Sequence, residues 1–186
     1  MTTWIVIAVV AVVVLILIAI YNRLVGLRQR AGQAWSDISV QLKQRHDLVP
    51  NLVETVKGYA GHERGTLEAV VRARNAAVSA SGPDAQAAAE NQLSGALRQL
   101  FALSEAYPDL KANTNFLQLQ SELADIENKI AASRRFFNNS VSEYNAAIEQ
   151  FPAVLIAGML GFGRREFFEL GEGERAAVEA APQVKF

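Results

Sequence analysis

The sequence predicts an all-α protein: an N-terminal transmembrane helix that continues into an antiparallel, up-and-down four-helix bundle, with an irregular C-terminal segment. Three observations lead there. Residues 4–20 form an unbroken apolar run, apolar residues beyond it recur every three or four positions, and strand signals are almost absent. The corresponding limits are 1–22 for the membrane helix, 23–151 for the bundle, and 152–186 for an apolar segment with an acidic, flexible tail.

The first element follows from composition. The chain has 18 Lys and Arg and 19 Asp and Glu, every one of them from Arg23 onward. At about 1.5 Å per residue the uncharged stretch through Asn22 reaches roughly the 30 Å of a bilayer's hydrocarbon core. Trp4 and Tyr21 stand at its two ends as interfacial anchors. Its Val and Ile content would suit a strand in water, but in lipid only a helix satisfies its own backbone groups. A cleaved signal peptide fits less well: no basic residue precedes the run, and Ala19-Ile20-Tyr21 is a poor cleavage site. Arg23, Arg28, Arg30, Lys43 and Arg45 all follow the span, so the positive-inside rule puts the N-terminus outside and the bundle in the cytoplasm of a single-pass cell-membrane protein.

The helices of the bundle come next. The first continues from the span with Leu24, Leu27, Ala31, Ala34, Trp35, Ile38 and Leu42 on one side, and Pro50 separates it from a second helix over about 50–80. Gly58, Gly61 and Gly65 weaken the second helix and predict a kink or break near His62. Ser81-Gly82-Pro83-Asp84 is a loop, and an Ala-rich third helix follows over about 84–106. The clearest helix covers about 111–150, where Phe116, Leu119, Leu123, Ile126, Ile130, Ser133, Phe137, Val141, Tyr144, Ile148 and Phe151 make a coiled-coil-like seam with charged residues between them. Pro108-Asp109 suits its start and Pro152 its end.

Several functions are excluded by what the chain lacks. A net charge of -1 gives no basic field for nucleic acid. The absence of Cys excludes disulfides, thiolate zinc sites, iron–sulfur clusters and a Cys nucleophile. His62-Glu63-Arg64-Gly65-Thr66 puts Thr where H-E-x-x-H needs its second ligand. Gly171-Glu172-Gly173-Glu174-Arg175-Ala176 would set two Glu against a pyrophosphate, and no P-loop or nucleophile elbow occurs, so no cofactor is expected. A remote metal-dependent reading would need His46 and Asp47 to meet His62 and Glu63.

Two stretches are candidates for partner contact. Trp35, Asp37, Arg45, His46 and Asp47 combine interface-prone residue types within a short polar string, although Trp35 also continues the apolar seam. The uncharged stretch 151–163, together with Phe162, Phe167 and Phe168, is too short to span a membrane and must bury its surface on the bundle, in the membrane interface or on a neighbouring subunit. Docking on protein, with self-association as its consequence, is the expectation. The tail over 171–181 is acidic, and the apolar tip 184–186 is a candidate tether.

Tyr21-Asn22-Arg23-Leu24-Val25, Ala34-Trp35-Ser36-Asp37-Ile38, Arg45-His46-Asp47-Leu48-Val49-Pro50-Asn51-Leu52, Arg135-Phe136-Phe137-Asn138, Tyr144-Asn145, Glu166-Phe167-Phe168 and the terminal Pro182-Gln183-Val184-Lys185-Phe186 together resemble the LemA family. The resemblance implies a single N-terminal membrane helix, a short or exposed N-terminus and an up-and-down four-helix bundle. It brings no established catalytic activity and no assigned active site. The expectation is therefore a non-enzymatic scaffold or interaction protein with the lipid bilayer, further copies of itself and another membrane protein as partners. An adaptor for a membrane protease or an envelope-stress response is the alternative that the resemblance supports.

Overall fold

The computed structural model describes residues 1–169. They form five α-helices: α1 (Thr2–Ala60), α2 (Arg64–Ser79), α3 (Pro83–Ser104), the single turn α4 (Pro108–Lys111) and α5 (Thr114–Glu149). A 3-10 turn, Ala153–Leu155, follows, and among the described residues there is no strand. The expected acidic tail and its apolar tip lie outside the described residues.

At 1.5 Å per residue, α1 is about 88 Å long. Its first third, residues 2–19, is exposed along every side, and it is one helix long and apolar enough to cross a membrane. From Leu24 onward the helix has a buried stripe at Ala31, Ala34, Ile38, Leu42, Arg45, Val49, Leu52 and Val56, the three-or-four-residue step of a helix with one covered face. α5 runs antiparallel along this stripe. The ion pairs Arg30–Glu143 and Arg45–Glu127 fix its register, because advancing along α1 retreats by a matching distance along α5.

The core is stacked in three tiers along that pair. Nearest the membrane helix, Leu24 meets Tyr144, Ala147 and Ile148. In the middle, Ala31, Ala34, Ile38 and Leu42 meet Ile126, Ile130, Phe137 and Val141. Farthest out, Val49, Leu52 and Val56 pack with Leu67 and Val70 of α2, Leu93, Leu97 and Leu100 of α3, and Phe116 and Leu123 of α5. The α2–α3 hairpin thus covers only the far half, whereas the seam expected for the last helix is buried or half-buried from Phe116 to Ile148, and its expected last member, Phe151, lies beyond α5 and is exposed. α1 and α2 break at Gly61-His62, close to the expected position. Gly82, at φ +89°, makes the turn into α3, in a left-handed conformation that favours glycine.

Two helix boundaries differ from the expectation. Pro50 does not end a helix but lies inside α1. Proline removes the amide that would bond the carbonyl of His46, one turn earlier, and its ring crowds that carbonyl, a defect of about 3 kcal/mol in an unsupported helix. Here Arg74 of α2 donates from Nε to the His46 carbonyl oxygen at 3.2 Å, so the orphaned acceptor is satisfied from the neighbouring helix. The last helix begins later than Pro108-Asp109 suggests, because Asn113 is its cap. The Asn113 side chain accepts from the Phe116 amide at 3.0 Å and donates to the Tyr59 hydroxyl at 2.9 Å. Pro108 and Asp109 open the separate turn α4.

The Arg74 bond gives a direct prediction. Arg74→Met should cost about 1–3 kcal/mol, the penalty of an unsatisfied buried carbonyl. In a Pro50→Ala chain, where the substituted residue supplies the missing amide, the same change should cost at least about 1 kcal/mol less. Urea unfolding of the four full-length chains in detergent measures this coupling; equal costs in both backgrounds would refute the compensation.

Candidate functional site

The apolar stripes of α1 and α3 each carry polar interruptions at seam positions: Arg45 on α1, Gln86 and Glu90 on α3. Packing the two helices brings these interruptions together. Glu90 is 4 % exposed and Arg45 is 1 % exposed, so each removes the other's charge from an apolar environment that neither would tolerate alone. Arg45 Nη1 donates to Glu90 Oε2 at 3.3 Å, and Nη2 donates to Ser94 Oγ at 2.7 Å and lies 3.0 Å from Glu127 Oε1 on α5. Glu90 Oε1 accepts from His46 Nε2 at 2.6 Å and from Gln86 Nε2 at 2.8 Å. Gln86 also donates to the Ala77 carbonyl of α2 at 2.9 Å, which ties a fourth helix to the cluster.

A polar cleft of about 300 Å³ borders this cluster, lined among others by Lys43, His46, Asp47, Arg74 and Gln86. Asp47 is exposed there. A hydrogen bond from Lys43, one turn earlier, holds its carboxyl below the usual aspartate range, with Arg74 and His46 adding to the effect. The cluster's chemistry is mutual neutralisation and helix registration. Its strongest donors and acceptors face one another rather than the cleft.

The candidate contact residues therefore divide. Arg45 and His46 are buried and unavailable to a partner's surface, while Asp37 and Asp47 are exposed. Trp35 is half-buried and stacks at ring-centroid distances of 5.4 Å from Phe137 and 5.8 Å from Phe168. His62 is exposed at the α1–α2 turn, and Glu63 accepts from the Tyr107 hydroxyl at 3.2 Å. His46 lies fourteen residues, about 21 Å at 1.5 Å per residue, before the end of α1 at Ala60, and His62 lies beyond that end, which keeps the two His-acid pairs apart. Among the described residues no group of three or more His, Asp and Glu could hold a metal ion.

The second feature is a strap. Residues 162–169 leave the end of α5 and run back along the groove between α1 and α5. Gly161, at φ +74°, makes the reversal. Phe162 and Phe168 are buried and Phe167 is half-buried, so these three rings are covered by their own chain. Phe162 meets Tyr21 edge-on at 5.6 Å and lies under the Arg28 guanidinium at 5.0 Å. Two asparagines of α5 hold the strap's backbone. Asn145 donates to the Arg165 carbonyl and accepts from the Arg165 amide, both at 2.9 Å. Asn138 treats Phe168 identically, at 3.0 and 2.9 Å. The Tyr144 hydroxyl adds a bond to the Gly163 carbonyl at 2.9 Å. The spacing explains the match: two helical turns advance about 10.5 Å, and three residues of extended chain advance about 10 Å.

Sequence reasoning passed over Glu90, Gln86, Asn138 and Asn145. The first two carried a signal, polar residues falling on an otherwise apolar three-four stripe. The asparagines carried one as well, a seven-residue interval beside the seam, but its meaning depends on the strap being extended.

Two outcomes follow. Glu90→Ala should destabilise the full-length chain by about 1–3 kcal/mol, because it removes the buried acceptor shared by Arg45, His46 and Gln86 and leaves Arg45 only the half-exposed Glu127; a urea-unfolding loss below about 1 kcal/mol would contradict this role. Asn138→Ala removes two bonds of about 1 kcal/mol each, so the Phe168 amide should exchange hydrogen roughly 30-fold faster. Unchanged exchange at Phe168 would mean that the asparagine does not hold the strap.

Sequence comparisons find relatives over most of the chain. A magnetosome protein, MamQ, of Magnetospirillum gryphiswaldense is 27 % identical over 174 residues, covering 80 % of this chain and 64 % of the relative. MamQ 2 of Paramagnetospirillum magneticum is 25 % identical over 175 residues with the same coverage. The chain thus spans slightly less than two thirds of the MamQ proteins. Protein LemA of Metamycoplasma hominis is 27 % identical over 164 residues, covering 86 % of this chain and 74 % of the relative. Residues 34–186 match the LemA family as a whole, so the strap, its asparagine clasp and the Arg45–Glu90 cluster all lie within the matched region. This chain belongs to the LemA family.

Proposed function

We propose that this protein is a membrane-anchored, non-enzymatic scaffold whose copies associate side by side in the bilayer and organise that patch of membrane. The observation that carries the proposal is the continuity of α1, from the span at residues 4–20 to its end at Ala60. From Ile20 to Ala60 the helix rises about 60 Å. A four-helix head, formed by the far half of α1 with α2, α3 and α5, is then held at a fixed distance and orientation from the membrane. A hinge or flexible linker would leave the head's position undefined; an unbroken helix stiffened by α5 defines it. The relatives named as magnetosome proteins support a part in a larger membrane assembly.

The head faces the cytoplasm in this reading, supported by the basic residues that follow the span and by their absence before it. Burial of Phe162 and Phe168 on their own chain moves the expected self-contact away from these rings. Lateral faces of the α1–α5 pair remain for it, including Phe136 and Leu117, which are about half exposed.

The absence of Cys makes the test clean. Full-length protein in lipid should run as an oligomer by light scattering, and a label on Glu68→Cys should react only from the cytoplasmic side of intact cells. Inserting three glycines after Gly26 should preserve membrane insertion while abolishing the oligomer. A strict monomer at high concentration, or an unaffected oligomer in the glycine-insertion chain, would refute the rigid-scaffold reading.

A further inference from the structure

Residues 151–161 connect α5 to the strap and have two opposite sides. Ala153 and Ala157 are buried in the tier that contains Leu24, Ile148 and Phe162, beside Ile20 and Val25. On the other side Phe151 and Met159 are each 80 % exposed, Leu155 is 65 % exposed, and Val154 and Leu160 about half exposed. No Asp, Glu, Lys or Arg occurs between Glu149 and Arg164. Large apolar side chains exposed so close together form a concentrated patch that a water-facing turn rarely carries.

Its position decides what covers it. α5 descends toward the membrane helix and ends at Glu149, the turn reverses, and the strap climbs away again. The turn is therefore the part of the folded domain nearest to the bilayer, at the level where α1 passes from the exposed apolar residues 4–20 to Leu24. Its buried side packs beside Ile20, the last residue of the apolar run, so the exposed side stands at the same end of the domain as the span. Arg23 directly follows the span and Arg164 directly follows the turn, cations of the kind expected where a protein meets anionic lipid. Arg28 is already placed over Phe162, and Arg164 is paired with Glu149 at 3.2 Å, so these charges are held near the surface rather than extended into solution.

We infer that the 151–161 turn is a second membrane contact: Phe151, Leu155 and Met159 insert into the interface of the same bilayer that α1 crosses, beneath anionic headgroups. This rests on α1 being a bilayer-spanning anchor. Two points of attachment, one through the membrane and one in its surface, fix the tilt and rotation of the α1–α5 rod relative to the bilayer.

Single cysteines at Met159, Val10 and Glu68 report on the turn, the span and the distal head in the full-length chain. Each carries an environment-sensitive fluorophore, in nanodiscs containing phosphatidylglycerol and phosphatidylcholine. The Met159→Cys label should emit to the blue of the Glu68→Cys label and be quenched several-fold more strongly by lipid carrying a spin label near the headgroup. Quenching of the Met159 label by aqueous iodide as strongly as the Glu68 label, with the Val10 label still quenched by lipid, overturns the inference and leaves the span intact. A water-exposed Val10 label would overturn both. Shielding at Met159 from iodide and lipid alike, lost at one protein per disc, would assign the patch to a second copy and also overturn the inference.

Discussion

The carbonyl oxygen of His46 is left without an intrahelical partner by Pro50, inside the longest element in this molecule, and the bond it accepts from Arg74 satisfies it. Without that bond, Pro50 would place an unsatisfied acceptor in the middle of the structure, and a kink would be the ordinary relief. With it, the helix that leaves the bilayer is the helix that organises the head. The donor comes from α2, so the acceptor that Pro50 leaves in α1 is satisfied only where α2 is docked. Local order and tertiary packing are coupled at a single backbone atom.

The same region holds the buried Arg45–Glu90–His46 network, and the two features reinforce each other. A buried ion pair is poor evidence of stability, since desolvating both charges offsets most of their attraction. Its effect here is selectivity of register. Arg45 must meet Glu90 of α3, Ser94 one turn further on and Glu127 of α5 simultaneously. Sliding α1 past α3 by a turn would leave Arg45 and Glu90 buried without each other. An apolar stripe of leucines and alanines would permit several registers of similar energy; the polar interruptions leave one.

Much of this was legible in the sequence. The span, the seam of α5, the break at Gly61-His62 and the turn at Gly82 follow from composition, periodicity and glycine placement, all of which are local. What escaped is non-local. Pro50 reads as a boundary because the residue that rescues it, Arg74, lies on a different helix. Pro108 reads as a helix start because a better cap, Asn113, lies just downstream and shows itself only when Tyr59 is beside it. Arg45 and His46 read as surface residues because their partners sit on helices whose facing sides no single-helix pattern reveals. The strap is the clearest case: aromatic residues announced that something had to be buried, but the receptor for the backbone between them is made of asparagine side chains on α5.

That receptor reads atoms common to every residue. Asn138 and Asn145 touch the amide and carbonyl of Phe168 and Arg165, never their side chains, so the groove recognises an extended chain with aromatic rings at suitable intervals rather than one particular peptide. In effect α1 and α5 form a peptide-binding groove whose ligand is attached by a short tether, residues 150–161. Even a flexible tether of this length would keep the ligand at an effective concentration of roughly millimolar order, and this one is itself packed through Ala153 and Ala157. A competing segment from elsewhere must exceed that standing concentration, or bind more tightly, before it can take the strap's place.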